Sequence, residues 1–388
     1  MVRAMLPFFD KAHSSLRSRA RAWVDAHLLT AGVSGDVEKT ARQLVQQLGK
    51  EEFLRFTVPG EFGGKHAHVE ARNLCILREE LARGSALADT MLALQALGSY
   101  PITLAGSDEQ KRRYLPRIAT GETIAAFALT EPEAGSDAAA LQTQAIKRAG
   151  NYSLSGTKRF ISNAGIADYY IVFATTDPAK KAKGISAFIV DADAEGLIVK
   201  EKTAVMSPHP IGVIAFENCM VAAGSLLGVE GEGLDIAYGT LDVLRCTVGA
   251  AAVGMAQRAV EEAVHYSRER RQFGRAIGEF QGIQFKLADM ATELEASRLL
   301  VYQAAWAHDC ASPDAKRQSA MAKLYATEAA QRIIDQALQI HGGVGVVAGS
   351  IMERLYRDIR ALRIYEGTSE IQKLVIAREL LKATGNRQ

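Results

Sequence analysis

The hydrophobic pattern of this chain changes period twice, and that double change limits the folds open to it. From residue 14 to about 120, apolar side chains recur at three- and four-residue spacing, as in Leu16, Ala20, Trp23, Val24 and Leu28, the repeat of a helix with one buried face. After Gly121 the pattern shortens. Residues 124–129 form a brief apolar run, and 169–174, 185–190 and 214–216 are alternating or β-branched segments punctuated by Asn151, Gly156, Asn163, Asp177, Pro178 and Gly184, which is the grammar of strands and tight turns. Helical spacing returns after Gly233 and holds to the end, with Ile283, Leu287, Met290, Leu294 and Val301 on one stripe and Met321, Leu324, Ile333, Ala337 and Ile340 on another. The fold class is therefore α+β: an N-terminal α-helical domain over 1–122, a middle β-barrel or sandwich domain over 123–228 and a C-terminal four-helix bundle over 229–388. A length of 388 residues fits two or three such domains.

Within this frame, helices are expected over 14–27, 37–48, 69–82 and 86–97, the last ending at Gly98, and Ser312 with Pro313 is expected to start another helix as cap and first helical residue. A cofactor site would most naturally lie where such domains meet.

Composition narrows the function. A net charge of +2, with 23% charged residues, gives no reason to expect nucleic acid, and no Lys/Arg tract is interleaved with aromatics. No apolar run reads as long enough to span a bilayer. Cys75, Cys219, Cys246 and Cys310 show neither CxxC nor Cys/His ligand spacing, so reduced thiols and no bound metal are expected. The Arg-rich start, Arg3 to Arg21, has the composition of a transit peptide, yet the first helix of the fold is expected to begin within it, at Ser14. A cytoplasmic location is the expectation.

Three glycine-containing segments could carry chemistry. Thr130-Glu131-Pro132-Glu133-Ala134-Gly135-Ser136-Asp137 leaves a buried strand directly, offering backbone amides and a hydroxyl to a phosphate or a flat polar ring; composition alone favours a plain turn. The cluster after His341, Gly342-Gly343-Val344-Gly345, misses the dinucleotide fingerprint and follows a helix instead of a strand. It could let a diphosphate approach the backbone, or end a helix. Arg270-Arg271-Gln272-Phe273-Gly274 suits phosphate binding and stacking, or is surface charge. Finally, Tyr365-Glu366-Gly367-Thr368-Ser369 sets a carboxylate in a short break before a helix, with a glycine that allows close approach and hydroxyls able to cap. Glu366 is the candidate catalytic base. There is no GxSxG, HExxH or Walker loop.

Taken in this order, the segments at 130–137, 270–274, 339–343 and 364–372 resemble the acyl-CoA dehydrogenase family of flavoproteins, over residues 14–383. The resemblance implies a bound FAD lying between the β-domain and the C-terminal bundle, and a homotetramer in which a neighbouring subunit completes each flavin site. It implies that Phe127, Leu129, Thr130, Phe160, Ile161 and Ser162 surround the ring, and that Arg270, Gln272, Phe273, Gln281, Gln339, Ile340, Gly342 and Gly343 hold the diphosphate and adenosine. Thr368 and Glu370 would complete the cofactor site, while Ser136, Asp242, Arg245 and Gly367 would meet the acyl-CoA. Glu366 would take the α-proton as the β-hydrogen leaves as hydride to flavin N5, giving a trans-2-enoyl-CoA. The reduced flavin would pass its electrons to an electron-transferring flavoprotein.

Some positions depart from the family's commoner pattern. Phe160 stands where many members have Trp, and Ser162, expected near N5, where many have Thr. His209-Pro210 is inserted into a stretch that often reads Ser-Pro-Thr-Gly. A branch with its base near Leu244 needs a carboxylate there, which leaves Glu366 as the base. An acyl-CoA oxidase or another flavoenzyme of the same fold stays open as an alternative, as does an FAD- and CoA-binding scaffold without turnover.

Overall fold

The computed structural model describes residues 8–29 and 35–385. The chain gathers into two compact units, one of Met1–Gly32, Glu70–Asp89 and Val243–Gln388, the other of Val33–Val69 and Thr90–Asp242.

The second unit is built on one eight-stranded sheet. Its strands are β1 (Ala125–Ala128), β2 (Gln144–Arg148), β3 (Asn151–Ser162), β4 (Tyr169–Thr175), β5 (Ile185–Asp191), β6 (Leu197–Lys202), β7 (Ile211–Val221) and β8 (Leu226–Leu227). They run in the order β6-β7-β3-β2-β4-β5-β8, with β1 joined parallel to β4. The central strand explains why its sequence is one continuous apolar run. Tyr169, Ile171 and Phe173 enter one core with Ile102, Leu115 and Ile118, while Tyr170, Val172 and Ala174 enter a second with Leu154, Ile214 and Phe216. A strand covered on both faces has no polar side to alternate.

Helices α2 (Val37–Lys50) and α5 (Asp108–Ala119) and most of α4 (Ala86–Ala105) belong to this unit. Ser107 caps α5 in a reciprocal box with Gln110. Helix α4 does not stop at Gly98, as expected from sequence, but continues to Ala105 through Pro101. Gly98 is a packing residue: a Cβ there would lie 2.1 Å from that of Ala125.

The first unit is helical, containing α1 (Lys11–His27), α3 (Ala71–Gly84), most of α6 (Gly233–Glu269), α7 (Gln281–Asp309), α8 (Ala315–His341), α9 (Ile351–Leu362) and α10 (Ser369–Gly385). A short hairpin of Arg271–Gln272 and Arg275–Ala276 links α6 to α7. Ion pairs tie α1 to α3 and α3 to α7: Arg21 donates to Glu80 at 2.9 Å, and buried Arg298 to buried Glu79 at 3.0 Å. Helix α8 begins at Ala315 after Asp314, not at the expected Ser312 and Pro313; the Ser312 hydroxyl instead accepts from the Asp314 amide. By length and composition α6 could cross a membrane, contrary to the sequence expectation, but 78% of its most apolar window is buried inside the structure, as in a core helix.

Candidate active site

The turn between α9 and α10 carries Glu366 in a left-handed conformation, φ +52°, followed by Gly367 at +88°. A side-chain-bearing residue held there costs on the order of 1–3 kcal/mol and persists only where its surroundings over-determine it. Here they do. Lys323, fully buried on α8, donates its Nζ to the Gly367 carbonyl at 2.7 Å. Gln372 on α10 donates to the same oxygen at 2.8 Å and to the Glu366 carbonyl at 3.3 Å. Thr368 accepts from the Ile371 amide, and Ser369 donates to Glu328 at 2.6 Å. Gly367 suits the turn because its φ of +88° is one that L side chains rarely adopt.

The Glu366 carboxyl is the unusual group in this turn. Its Oε2 is sealed from solvent and has no hydrogen-bond partner among the described residues. Burial raises its pKa; Arg78, Lys323 and Arg245 pull it back and Asp89 reinforces the rise. The cations are held in their own right. Arg78 grips Asp89 through two hydrogen bonds of 2.7 and 2.9 Å and donates to Thr247 at 2.9 Å. Burial lowers the Lys323 pKa to about 8, with Glu366 working in the opposite sense. A carboxyl kept short of water is a stronger base than a solvated one, and the neighbouring positive charges favour its ionised form.

Gly367, Thr368 and Glu370 adjoin this base on the chain, Glu370 being exposed at the start of α10. Asp242 and Arg245 lie one turn apart on α6, half-buried and buried respectively. A second cluster in the helical unit gathers Arg270, Gln272, Phe273 and Gln281 around the hairpin with Gln339, Ile340, Gly342 and Gly343 at the end of α8. Tyr266 stacks on His341 at 4.5 Å, which brings these two regions together. Phe273 is 93% exposed at φ +51°, whereas Ile340 is buried at 6%. Ideal Cβ atoms at Gly342 and Gly343 would meet nothing within 4 Å.

In the sheet unit, the ends of β1 and β3 lie side by side, with the Arg159 amide donating to the Thr130 carbonyl at 2.9 Å. This groups Phe127, Leu129 and Thr130 with Phe160, Ile161 and Ser162. Phe127 packs on Phe173, Ile161 is turned into the core at 1% exposure, and Phe160 stands out at a strand bulge, 51% exposed with φ +57°. Ser162 Oγ lies 3.0 Å from His209 Nε2. The following loop is pinned by Glu131, which accepts from the amides of Gln142 and Thr143 and from fully buried Lys158 at 2.7 Å. Ser136 is exposed on that loop.

Sequence reasoning missed Arg78, Lys323, Gln372 and Lys158. Lys323 carried a usable signal, a cation among apolar residues, Met321, Ala322 and Leu324; Arg78 follows the apolar Cys75, Ile76 and Leu77 but is itself followed by Glu79 and Glu80, which weakens its signal. Such charges are rarely buried unless paired. Among the described residues no group of three or more His, Cys, Asp or Glu could hold a metal ion.

Helical segments before and after a sheet segment along the chain, a carboxyl with one oxygen sealed from solvent, and separate clusters offering aromatic faces, amides and bare backbone suit an oxidoreductase that binds a flat, phosphate-bearing cofactor. The acyl-CoA dehydrogenase N-terminal, middle and C-terminal domains match residues 10–122, 126–219 and 231–381, and the chain belongs to the acyl-CoA dehydrogenase family. It is 43% identical to a 3-(aryl)acrylate reductase of Clostridium sporogenes, over 97% of this chain and 100% of that one. It is 38% identical to the caffeyl-CoA reductase-Etf complex subunit CarC of Acetobacterium woodii, again over 97% and 100%. The solved acyl-CoA dehydrogenase of Bacillus anthracis complexed with FAD superposes with a TM-score of 0.88 at 31% identity, covering 98% of this chain and 69% of that one.

The protein is an oxidoreductase with FAD as cofactor, and its own donor set fits that group. The open backbone of Gly342 and Gly343 and the exposed Arg270 and Gln272 suit a diphosphate, and the projecting Phe160 suits a flat ring.

Proposed function

We propose that the protein interconverts an acyl-CoA thioester and its trans-2-enoyl-CoA, with Glu366 as the base that takes the α-proton. The observation that carries this reading is the buried, unpartnered Oε2 of Glu366 in a turn clamped by Lys323 and Gln372. A proton beside a thioester is only weakly acidic, so its base must be desolvated and aimed, and enolate character must be stabilised at the carbonyl oxygen. Glu366 supplies the first, and its own backbone amide is the donor assigned to the second. Bound FAD supplies the acceptor for the β-hydrogen, which leaves as hydride.

In this reading Arg245, Asp242, Ser136 and Gly367 meet the acyl-CoA. Phe127, Leu129, Thr130, Phe160, Ser162 and the main chain of Ile161 line the ring. The hairpin and α8 cluster hold the diphosphate and adenosine, with Thr368 and Glu370 beside the base. The nearly full exposure of Phe273 supports a homotetramer in which this hairpin meets a neighbouring copy. An electron-transferring flavoprotein is the proposed redox partner, supported by the relative that is a subunit of an Etf complex. Two relatives are named for reducing compounds with an aryl group conjugated to a double bond, which makes 3-arylpropanoyl thioesters the first substrates to try.

The test is an anaerobic titration of the FAD-loaded protein with straight, branched, dicarboxylic and 3-arylpropanoyl-CoA esters, following flavin absorbance and the product. Bleaching by one class with formation of its 2-enoyl-CoA supports the reading. Bound flavin that no thioester reduces, and that no 2-enoyl-CoA reoxidises, would sink it.

A further inference from the structure

Ser162 and His209 form a hydrogen-bond chain whose direction can be read from its end. In the loop between β6 and β7, His209 Nδ1 lies 3.0 Å from the Ser207 carbonyl oxygen, and Nε2 lies 3.0 Å from Ser162 Oγ. The loop is tied to the end of β3 by the Asn163 amide, which donates to the Pro210 carbonyl at 2.7 Å. A carbonyl can only accept, so Nδ1 carries the ring proton. In the neutral ring Nε2 then has only a lone pair, and the Ser162 hydroxyl must be the donor. Burial lowers the ring's pKa and so favours its neutral form, with the bond to the Ser207 carbonyl acting the other way. The one proton of Ser162 is thereby committed to His209, and what the hydroxyl offers elsewhere is lone pairs.

We propose that His209 is a positioning residue that makes Ser162 a hydrogen-bond acceptor toward the flavin ring, favouring the reduced ring, which presents an N–H, over the oxidised ring, which presents a lone pair. This rests on the placement of Ser162 beside the ring in the proposed function. Without His209 the hydroxyl is free to rotate and donate, which favours the oxidised ring instead. His209 touches no reacting atom; it acts through Ser162.

The experiment is a dye-equilibrated measurement of the two-electron flavin potential in FAD-loaded wild type, His209→Phe, His209→Gln, Ser162→Ala and the Ser162→Ala/His209→Phe double variant. We expect His209→Phe to lower the reduced-to-oxidised equilibrium constant about tenfold, which for two electrons is about 30 mV. His209→Gln, whose amide oxygen can still accept from Ser162, should recover most of that shift. In the Ser162→Ala background the His209→Phe shift should vanish, because the two act in series. A shift that persists in that background, or no shift in His209→Phe while Ser162→Ala moves the potential, overturns the inference and leaves the placement of Ser162 standing. If Ser162→Ala leaves both potential and flavin spectrum unchanged, that placement fails and the inference with it.

Discussion

Lys323 Nζ donates to the Gly367 carbonyl at 2.7 Å from a fully buried position on α8, so the residue after the base is held by an ammonium that also lies in the field of the base. One side chain thus couples geometry to electrostatics. It holds a left-handed turn in place, and it is one of three cations that oppose the rise in the Glu366 pKa caused by burial.

Replacing Lys323 with Met should therefore move the acid limb of kcat/KM to higher pH. Glu366 must be ionised to act, its pKa is already raised, and removing a cation raises it further. Activity is then lost earlier as pH falls. A pH–rate profile checks this, and a limb that stays in place or moves down would show that Lys323 contributes no field at the base.

Glu366→Gln preserves the size and polarity of the side chain but cannot accept the α-proton. FAD content should be unchanged and substrate-driven flavin reduction should fall by at least ~10²–10⁴. Stopped-flow absorbance is the measurement, and wild-type reduction in this variant would locate the base elsewhere.

Lys158→Met should lower stability by about 3–5 kcal/mol, because it leaves Glu131 buried without its cation. Adding Glu131→Gln should recover part of the loss. Denaturant unfolding measures both, and the single variant should also weaken FAD retention, since Glu131 anchors the loop that follows Thr130.

Gly98→Ala should destabilise by about 1–3 kcal/mol despite the better helix propensity of alanine, because the new methyl would start 2.1 Å from the Cβ of Ala125. Thermal unfolding of the variant tests whether Gly98 serves packing; a stabilised protein would mean that the contact relaxes freely.

Much of the fold was legible because periodicity is a local property. The stripes that predict α7 and α8 and the run that predicts β4 are set by which faces are buried. Local reasoning failed at Gly98 because it serves a distant partner: it looks like a helix stop until Ala125 is seen against it. At Ser312-Pro313 the miss is local, since the Ser312 hydroxyl accepts from the Asp314 amide and the helix begins at Ala315. The candidate site was legible in parts: Glu366 could be singled out by its glycine and its helix-capping neighbours, but Arg78, Lys323 and Gln372 could not be assigned to it.

The sequence by itself determined the α-β-α order, the absence of hydrolase and zinc-protease motifs, and a family resemblance carried by short motifs that need no partner to be read. Tertiary structure alone decided that Glu366 is desolvated, that three cations from α3, α6 and α8 temper it, and that Ser162 and His209 meet at hydrogen-bond distance. The reason is physical: pattern along a chain reports which face of an element meets apolar surroundings, whereas the pKa of a carboxyl and the partner of a hydroxyl depend on groups tens to hundreds of residues away, brought together only by folding.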